Sequence, residues 1–250
     1  MCLTIKNTYI SVHIFFYLFM FICLITGQIR DFLIFTSIII VHECGHITGG
    51  ILFGWKIKKI KLLPIGGLTI FNCDINTPLF EQFIVSILGP IFQIIFYIFI
   101  NYLFDLPLRI SYYNYTLLIF NLLPIFPLDG CKILNVLFLL IFPFKISHII
   151  CIIISFLTLG FMTLYVNSLL LLIMYLFLFI GVIKETINHR YLFNRFLFER
   201  YNNNYDLKKQ KKINHINKMY LEYKHIFLIN NKYYTEKNIL EKRFDKNYKL

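Results

Sequence analysis

Long apolar runs separated by short polar stretches dominate the first 183 residues. Six such runs, at about 10–27, 32–54, 82–104, 115–143, 147–165 and 168–183, reach or approach the roughly 20 residues that cross a bilayer core as a helix. They predict an all-α polytopic membrane protein. Between the second and third runs the period changes. Lys56-Ile-Lys-Lys-Ile-Lys61 alternates polar and apolar positions and leads into Leu63-Pro-Ile-Gly-Gly-Leu-Thr-Ile-Phe71. That is the pattern of two short strands turning at Gly66-Gly67. The stretch reads either as a basic interfacial loop or as a membrane-associated hairpin whose edge could pair with an extended substrate segment. Beyond residue 183 the runs stop. Arg190–Tyr201 has the amphipathic, arginine- and aromatic-rich pattern of a helix lying on the inner membrane surface. Asn202-Asn-Asn then loosens the chain, and residues 213–244 offer a strand at His225–Ile229 and a short helix from Thr235. The expected organisation is a membrane domain over 1–183 and a small cytoplasmic tail over 184–250 that is too short to bury much core alone.

Composition agrees: 58% of residues are hydrophobic and 15% charged, with a mean hydropathy of +0.67, which excludes a soluble globular enzyme. The net charge of +12 is unevenly placed. Residues 184–250 hold 16 Lys and Arg against 7 Asp and Glu, leaving only +3 for the membrane part. A basic segment directly after a last span points to anionic lipid headgroups and to inner-loop topology rather than to nucleic acid. Lys6, Lys56–Lys61, Lys145 and the tail fall on one side, while the opposite loops offer Arg30 and Arg109, each near an acid, Asp31 and Asp105. By the positive-inside rule both termini are cytoplasmic. The first run ends in Gln-Ile-Arg-Asp rather than a small-residue cleavage site, so it is expected to remain as a span. The six cysteines have no paired spacing and predict no disulfide framework.

The chemistry lies at His42-Glu43-Cys44-Gly45-His46, inside an apolar run where ionisable residues are costly and functional by default. Residues four apart share a helix face, so His42 and His46 can present two nitrogens to one zinc ion. In the H-E-x-x-H arrangement the metal lowers the pKa of water to roughly 7 and the Glu removes its proton. With 7 His and 7 Glu in 250 residues, a random shuffle gives this pattern roughly 0.005 times per chain. Cys44 projects from nearly the opposite side of the helix and is not expected to ligate. His13 and His148 read as hydrogen-bonded packing residues.

Zinc needs a third protein ligand. The fourth run is broken at Asn121-Leu-Leu-Pro124-Ile-Phe-Pro127-Leu-Asp129-Gly130, and irregular backbone at membrane depth is tolerated only beside a cavity or inside protein. The remaining acids before the tail lie at span ends or in a loop, which makes Asp129 the candidate. A plain ion pair with Lys132, three residues on, is the alternative. Asn121, an amide beside the broken helix, is a candidate for holding substrate backbone or a developing oxyanion. Ser86, Gly89-Pro90 and Gln93 in the third run read mainly as packing residues.

The pairing of His42-Glu43-x-x-His46 with Asn121-x-x-Pro124-x-x-Pro127-Leu-Asp129-Gly130 resembles the two motifs of site-2 proteases, intramembrane zinc metalloproteases. The likeness is greatest to the branch of that family that acts in bacterial sporulation. It extends through Leu24–Gly27, Trp55–Lys59, Leu63–Gly67, Gly89-Pro90 with Gln93, and Arg195–Tyr201. The resemblance implies one zinc ion on His42, His46 and Asp129, with Glu43 as base. It further implies regulated cleavage of a sigma factor precursor at the mother-cell membrane around the forespore, under inhibitory membrane partners. Members of the family usually end in a nucleotide-binding regulatory domain of the cystathionine-β-synthase type, of which residues 213–244 are a shortened echo. Cys131 stands where a second glycine usually follows Asp-Gly. Rival readings are a site-2 protease acting on another membrane protein such as an anti-sigma factor, a membrane metal transporter, which would place its metal-binding residues along a path, and a catalytically silent scaffold.

Overall fold

The computed structural model describes all residues except 1, 6, 7, 13, 64, 65, 105, 106, 206, 208, 230, 231 and 245–250. Lys6, His13 and Asp105 therefore lie outside the described residues. The chain forms two compact units, Met1–Cys73 with Phe83–Leu123, and Asp74–Gln82 with Pro124–Leu250.

The first unit contains α1 (Ile14–Ile25), α2 (Ile29–Leu52), α3 (Leu79–Phe104) from Phe83 onward and α4 (Leu108–Asn121). Ile38 and Ile39 of α2 bury themselves against Leu117 of α4, with Ile34, Phe35 and Tyr113 around them. Arg109 at the start of α4 pairs with Asp31 in the first turn of α2 at 2.6 Å. A four-stranded sheet, β1 (Cys2–Ile5), β2 (Thr8–Val12), β3 (Lys56–Leu63) and β4 (Gly66–Asn72), runs in that order. β2 lies parallel to β3, and β3 is antiparallel to β4 with an irregularity between Ile57 and Lys59.

Two expectations change here. The apolar run expected as a span over 10–27 begins as strand, because Tyr9 to Val12 pair with Lys59 to Leu62. Only 12 residues of α1 remain, about 18 Å of helix against a hydrocarbon core of about 30 Å. Gly66 and Gly67, expected at the hairpin turn, are instead the first residues of β4 and pair with Leu63 and Leu62.

The second unit contains α5 (Asp129–Ile141), α6 (Phe144–Met162) and α7 (Leu169–Asn202), then β5 (Lys209–Ile213), β6 (Tyr223–Ile229), β7 (Lys232–Thr235) and α8 (Glu236–Phe244). The expected strand and helix of the tail are β6 and α8. α7 continues through residue 183, and it absorbs Arg190–Tyr201, which was expected to lie on a membrane surface. The reason is packing: Phe193, Phe196 and Leu197 are buried, and Phe144 stacks on Phe196 with ring centroids 4.4 Å apart. Met219, Leu221, Phe227 and Leu240 of the tail are also buried. The segment preceding α5 is irregular, and Ser155 of α6 accepts the Phe126 backbone N–H at 3.1 Å.

Among the described residues four helices are long and apolar enough to cross a membrane, Ile29–Leu52, Leu79–Phe104, Phe144–Tyr165 and Leu171–Asn202. The expected count of six spans is not confirmed: the first run is shortened by β2, and 115–143 is divided by Pro124 and Pro127 into α4 and α5. Neither proline can donate a helical hydrogen bond, and each disfavours helix in the residue before it. Many large apolar side chains on the long helices are exposed, including Ile95, Ile98 and Phe99 on α3 and Ile173, Leu176 and Ile180 on α7, as expected of surfaces solvated by lipid.

Candidate metal centre

The four-residue spacing on α2 brings His42 and His46 to one face, both buried, with their Nε2 atoms 3.2 Å apart. Glu43 is buried beside them, and the ligand atoms of the three side chains lie within 4.8 Å of one another. The protonation of the rings follows from their other nitrogens. His46 Nδ1 is 2.8 Å from the carbonyl oxygen of Val85, which can only accept, so Nδ1 carries the proton. His42 Nδ1 is 2.9 Å from Gln93 Oε1. The Gln93 amide nitrogen already donates to the Asn114 carbonyl at 2.9 Å and to its Oδ1 at 3.1 Å, so Oε1 must face the histidine, and His42 Nδ1 donates as well.

With Nδ1 donating on both rings, the two Nε2 lone pairs face each other at 3.2 Å whenever both imidazoles are neutral. Two acceptors in that position repel; a cation shared between them converts the repulsion into coordination. The donor set, two imidazole nitrogens with a carboxylate at hand, suits zinc. Gln93 and the Val85 carbonyl are the outer partners that fix tautomer and ring orientation at such sites.

β4 and α3 close the site from two sides. The Thr69 hydroxyl of β4 donates to Glu43 Oε2 at 2.7 Å. A Cβ on Gly67 would collide with the Glu43 carboxylate, and one on Gly89 with the His46 ring, so both positions need glycine for the backbone to approach this closely. Cys44 is exposed, consistent with its projection away from the site. Asn121 is the buried last residue of α4. Asp129 opens α5 in the other compact unit, where its Oδ1 accepts from Lys132 Nζ at 2.8 Å. The ion pair that the spacing allowed is thus formed.

Gln93, Thr69 and Gly67 have parts here that residue patterns did not assign. A signal existed for Gln93, since an amide with four hydrogen-bonding sites is costly in an apolar run. None existed for Thr69, whose partner is 26 residues away.

Residues 31–108 match the profile of peptidase family M50. Stage IV sporulation protein FB of Bacillus subtilis is 35% identical over 208 residues, 77% of this chain and 71% of that protein. A zinc metalloprotease of Methanocaldococcus jannaschii is 32% identical over 144 residues, 50% of this chain and 41% of its own length. The solved site-2 protease from Methanocaldococcus jannaschii is similar with a TM-score of 0.59 at 28% identity, covering 74% of this chain and 94% of that one. The chain therefore belongs to the M50 peptidases, the site-2 protease family of membrane zinc metalloproteases.

Proposed function

We propose that this protein is an intramembrane endopeptidase that holds one zinc ion on His42, His46 and Asp129, uses Glu43 as general base, and cleaves the pro-form of a late sporulation sigma factor. The observation that carries the reading is the pair of imidazole acceptors 3.2 Å apart beside a buried carboxylate, on a helix long and apolar enough to span a membrane. Sporulation is supported by the similarity to Stage IV sporulation protein FB; the sigma factor precursor, the mother-cell membrane around the forespore, cytoplasmic termini and inhibitory membrane partners follow from the motif resemblance.

Bound zinc supplies a Lewis acid that polarises the scissile carbonyl and acidifies water. Glu43 takes the proton of the attacking water and returns it to the departing amine. The Thr69 hydroxyl holds Glu43 Oε2, leaving the carboxylate fixed for that transfer. Gln93 and Val85 hold the Nδ1 side of each ring and aim the two Nε2 atoms together. β4 lies at the edge of its sheet and can receive an extended substrate segment in β-pairing, and the Asn121 amide donates to substrate backbone or to the developing oxyanion.

The test is co-expression with the sigma factor precursor, comparing wild type with Glu43→Gln. Loss of cleavage with one zinc per chain retained is expected; unchanged cleavage rejects the base. Asp129→Ala is expected to lower the zinc content of the purified chain, and full retention removes Asp129 from the ligand set. Asn121→Ala cleaving at the wild-type rate removes the oxyanion role.

A further inference from the structure

Within the second unit, a cavity of about 220 Å³ is lined by Lys145, His189, Arg190 and Arg243, with Asn194, Asn217 and the Phe193 ring completing it. Among the described residues no carboxylate lines it. Glu185, one turn before His189 on α7, sits 3.3 Å from His148 Nε2. Lys145 Nζ lies over the Phe193 ring at 5.5 Å, and Arg243 donates to Asn194 Oδ1 at 2.9 Å, so two of the cations are held in place. Lys145 stands in the first turn of α6, where the helix dipole adds positive potential. His189 Nδ1 is buried and has no hydrogen-bond partner among the described residues. A concave site whose described lining holds three permanent cations, two amides and an imidazole but no acid has the chemistry of a phosphate receptor.

Position and size select the source of that phosphate. The cavity is smaller than the roughly 300–1,000 Å³ that encloses a drug-sized ligand, so it suits one phosphate group rather than a whole nucleotide. It also lies where apolar surface ends. Ile180, Ile183 and Ile187 are exposed on α7, and Arg190 follows Ile187 by three residues, on the same helix face. Acyl chains along the isoleucines would bring a headgroup to the arginine. Basic pockets between helices at the cytoplasmic boundary take anionic lipid headgroups.

We propose that this cavity is a binding site for the phosphate of an anionic phospholipid, with Lys145, Arg190 and Arg243 as its cationic ligands. Native mass spectrometry of the full chain in detergent, titrated with phosphatidylglycerol, reads the site without reference to proteolysis. Arg190→Gln is expected to weaken binding about fivefold, and each further neutralisation of Lys145 and Arg243 by about as much again. Replacing Lys212, Lys224 and Lys237 by Gln removes the same charge elsewhere and is expected to change binding less than twofold. Equal losses in the two sets, or phosphatidylcholine bound as tightly as phosphatidylglycerol, would overturn the site. Inorganic phosphate or ATP binding with the same variant dependence, while phosphatidylglycerol does not bind, would assign the cavity to a soluble phosphate and overturn the lipid. Arg190 is exposed, so its single variant is expected to fold even if the triple variant does not.

Discussion

Around Arg200, in the second unit, donors face acceptors. The guanidinium donates to Asn76 Oδ1 at 2.6 Å, to the carbonyls of Tyr220, Leu221 and Tyr223, and to Glu236. The neighbouring Glu199 accepts from the backbone of Ile75 and Asn76 and from Arg195. Around His42 and His46, in the first unit, acceptor faces acceptor. Both clusters are buried and both lie on long helices. The first is complementary within the chain and ties residues 74–82, the end of α7 and the tail together. The second sets two ring nitrogens against each other at 3.2 Å, an arrangement that a shared cation completes, with Gln93, Val85, Thr69, Gly67 and Gly89 packed around it. A buried polar group whose partners oppose it in charge marks architecture; one held against a like neighbour marks chemistry, because the fold has no structural reason to maintain it.

The sharpest test of this contrast removes the acid without disturbing the imidazoles. Glu43→Gln is expected to lower precursor cleavage by about 10²–10⁴-fold, the usual contribution of a positioned acid–base group, while thermal stability of the zinc-loaded chain stays near wild type. Next is the opposite deletion. Arg200→Ala strands buried carbonyls and Glu236, and about 3–5 kcal/mol of stability is expected to be lost, read by thermal denaturation in detergent. Zinc per folded chain should not change; a joint loss of zinc would mean that the two clusters are not separable.

Gln93→Leu, of similar size, removes the acceptor that fixes the His42 tautomer. A loss of about 10–100-fold in zinc affinity is expected, measured by chelator competition. An unchanged affinity would mean that α2 alone orients the ring.

The smallest expected effect is pH-dependent. Burial pushes the Glu236 carboxyl up, but the His225 hydrogen bond and the Arg200 charge outweigh it, and its pKa lies below the ordinary value of 4.5. The stability from this carboxylate is fully present above that ordinary value and is lost as pH falls through the lower folded one. Melting temperature is therefore expected to drop below about pH 4.5, more steeply for wild type than for Glu236→Gln. Parallel curves would show that Glu236 does not carry the acid sensitivity.

Much of the histidine cluster could be read in the chain before any coordinates. His42, Glu43 and His46 lie within five consecutive positions of one helix, so helical periodicity alone brings them together. The broken segment at Pro124 and Pro127 was equally legible, because proline acts on its own backbone. The strand at the start of the first run was not legible, since an apolar run does not reveal whether its start pairs with a distant strand, and Tyr9 meets Lys59. Arg190–Tyr201 was misread for a related reason. An amphipathic stripe states that one face will be covered, without stating whether by lipid or by Phe144 and the tail.

By itself, then, the sequence determined what depends on neighbours along the chain: the apolar helices, the two-histidine face, the acid beside it and the break before Asp129. Tertiary structure alone decided what depends on partners far apart in sequence. It assigned the proton on each imidazole through Val85 and Gln93, placed Thr69 on Glu43, and enclosed Arg200. Local pattern follows from helix geometry and backbone sterics within a few residues. Hydrogen-bond partnership and burial follow from packing, in which separations of 26 to 124 residues leave no periodic trace.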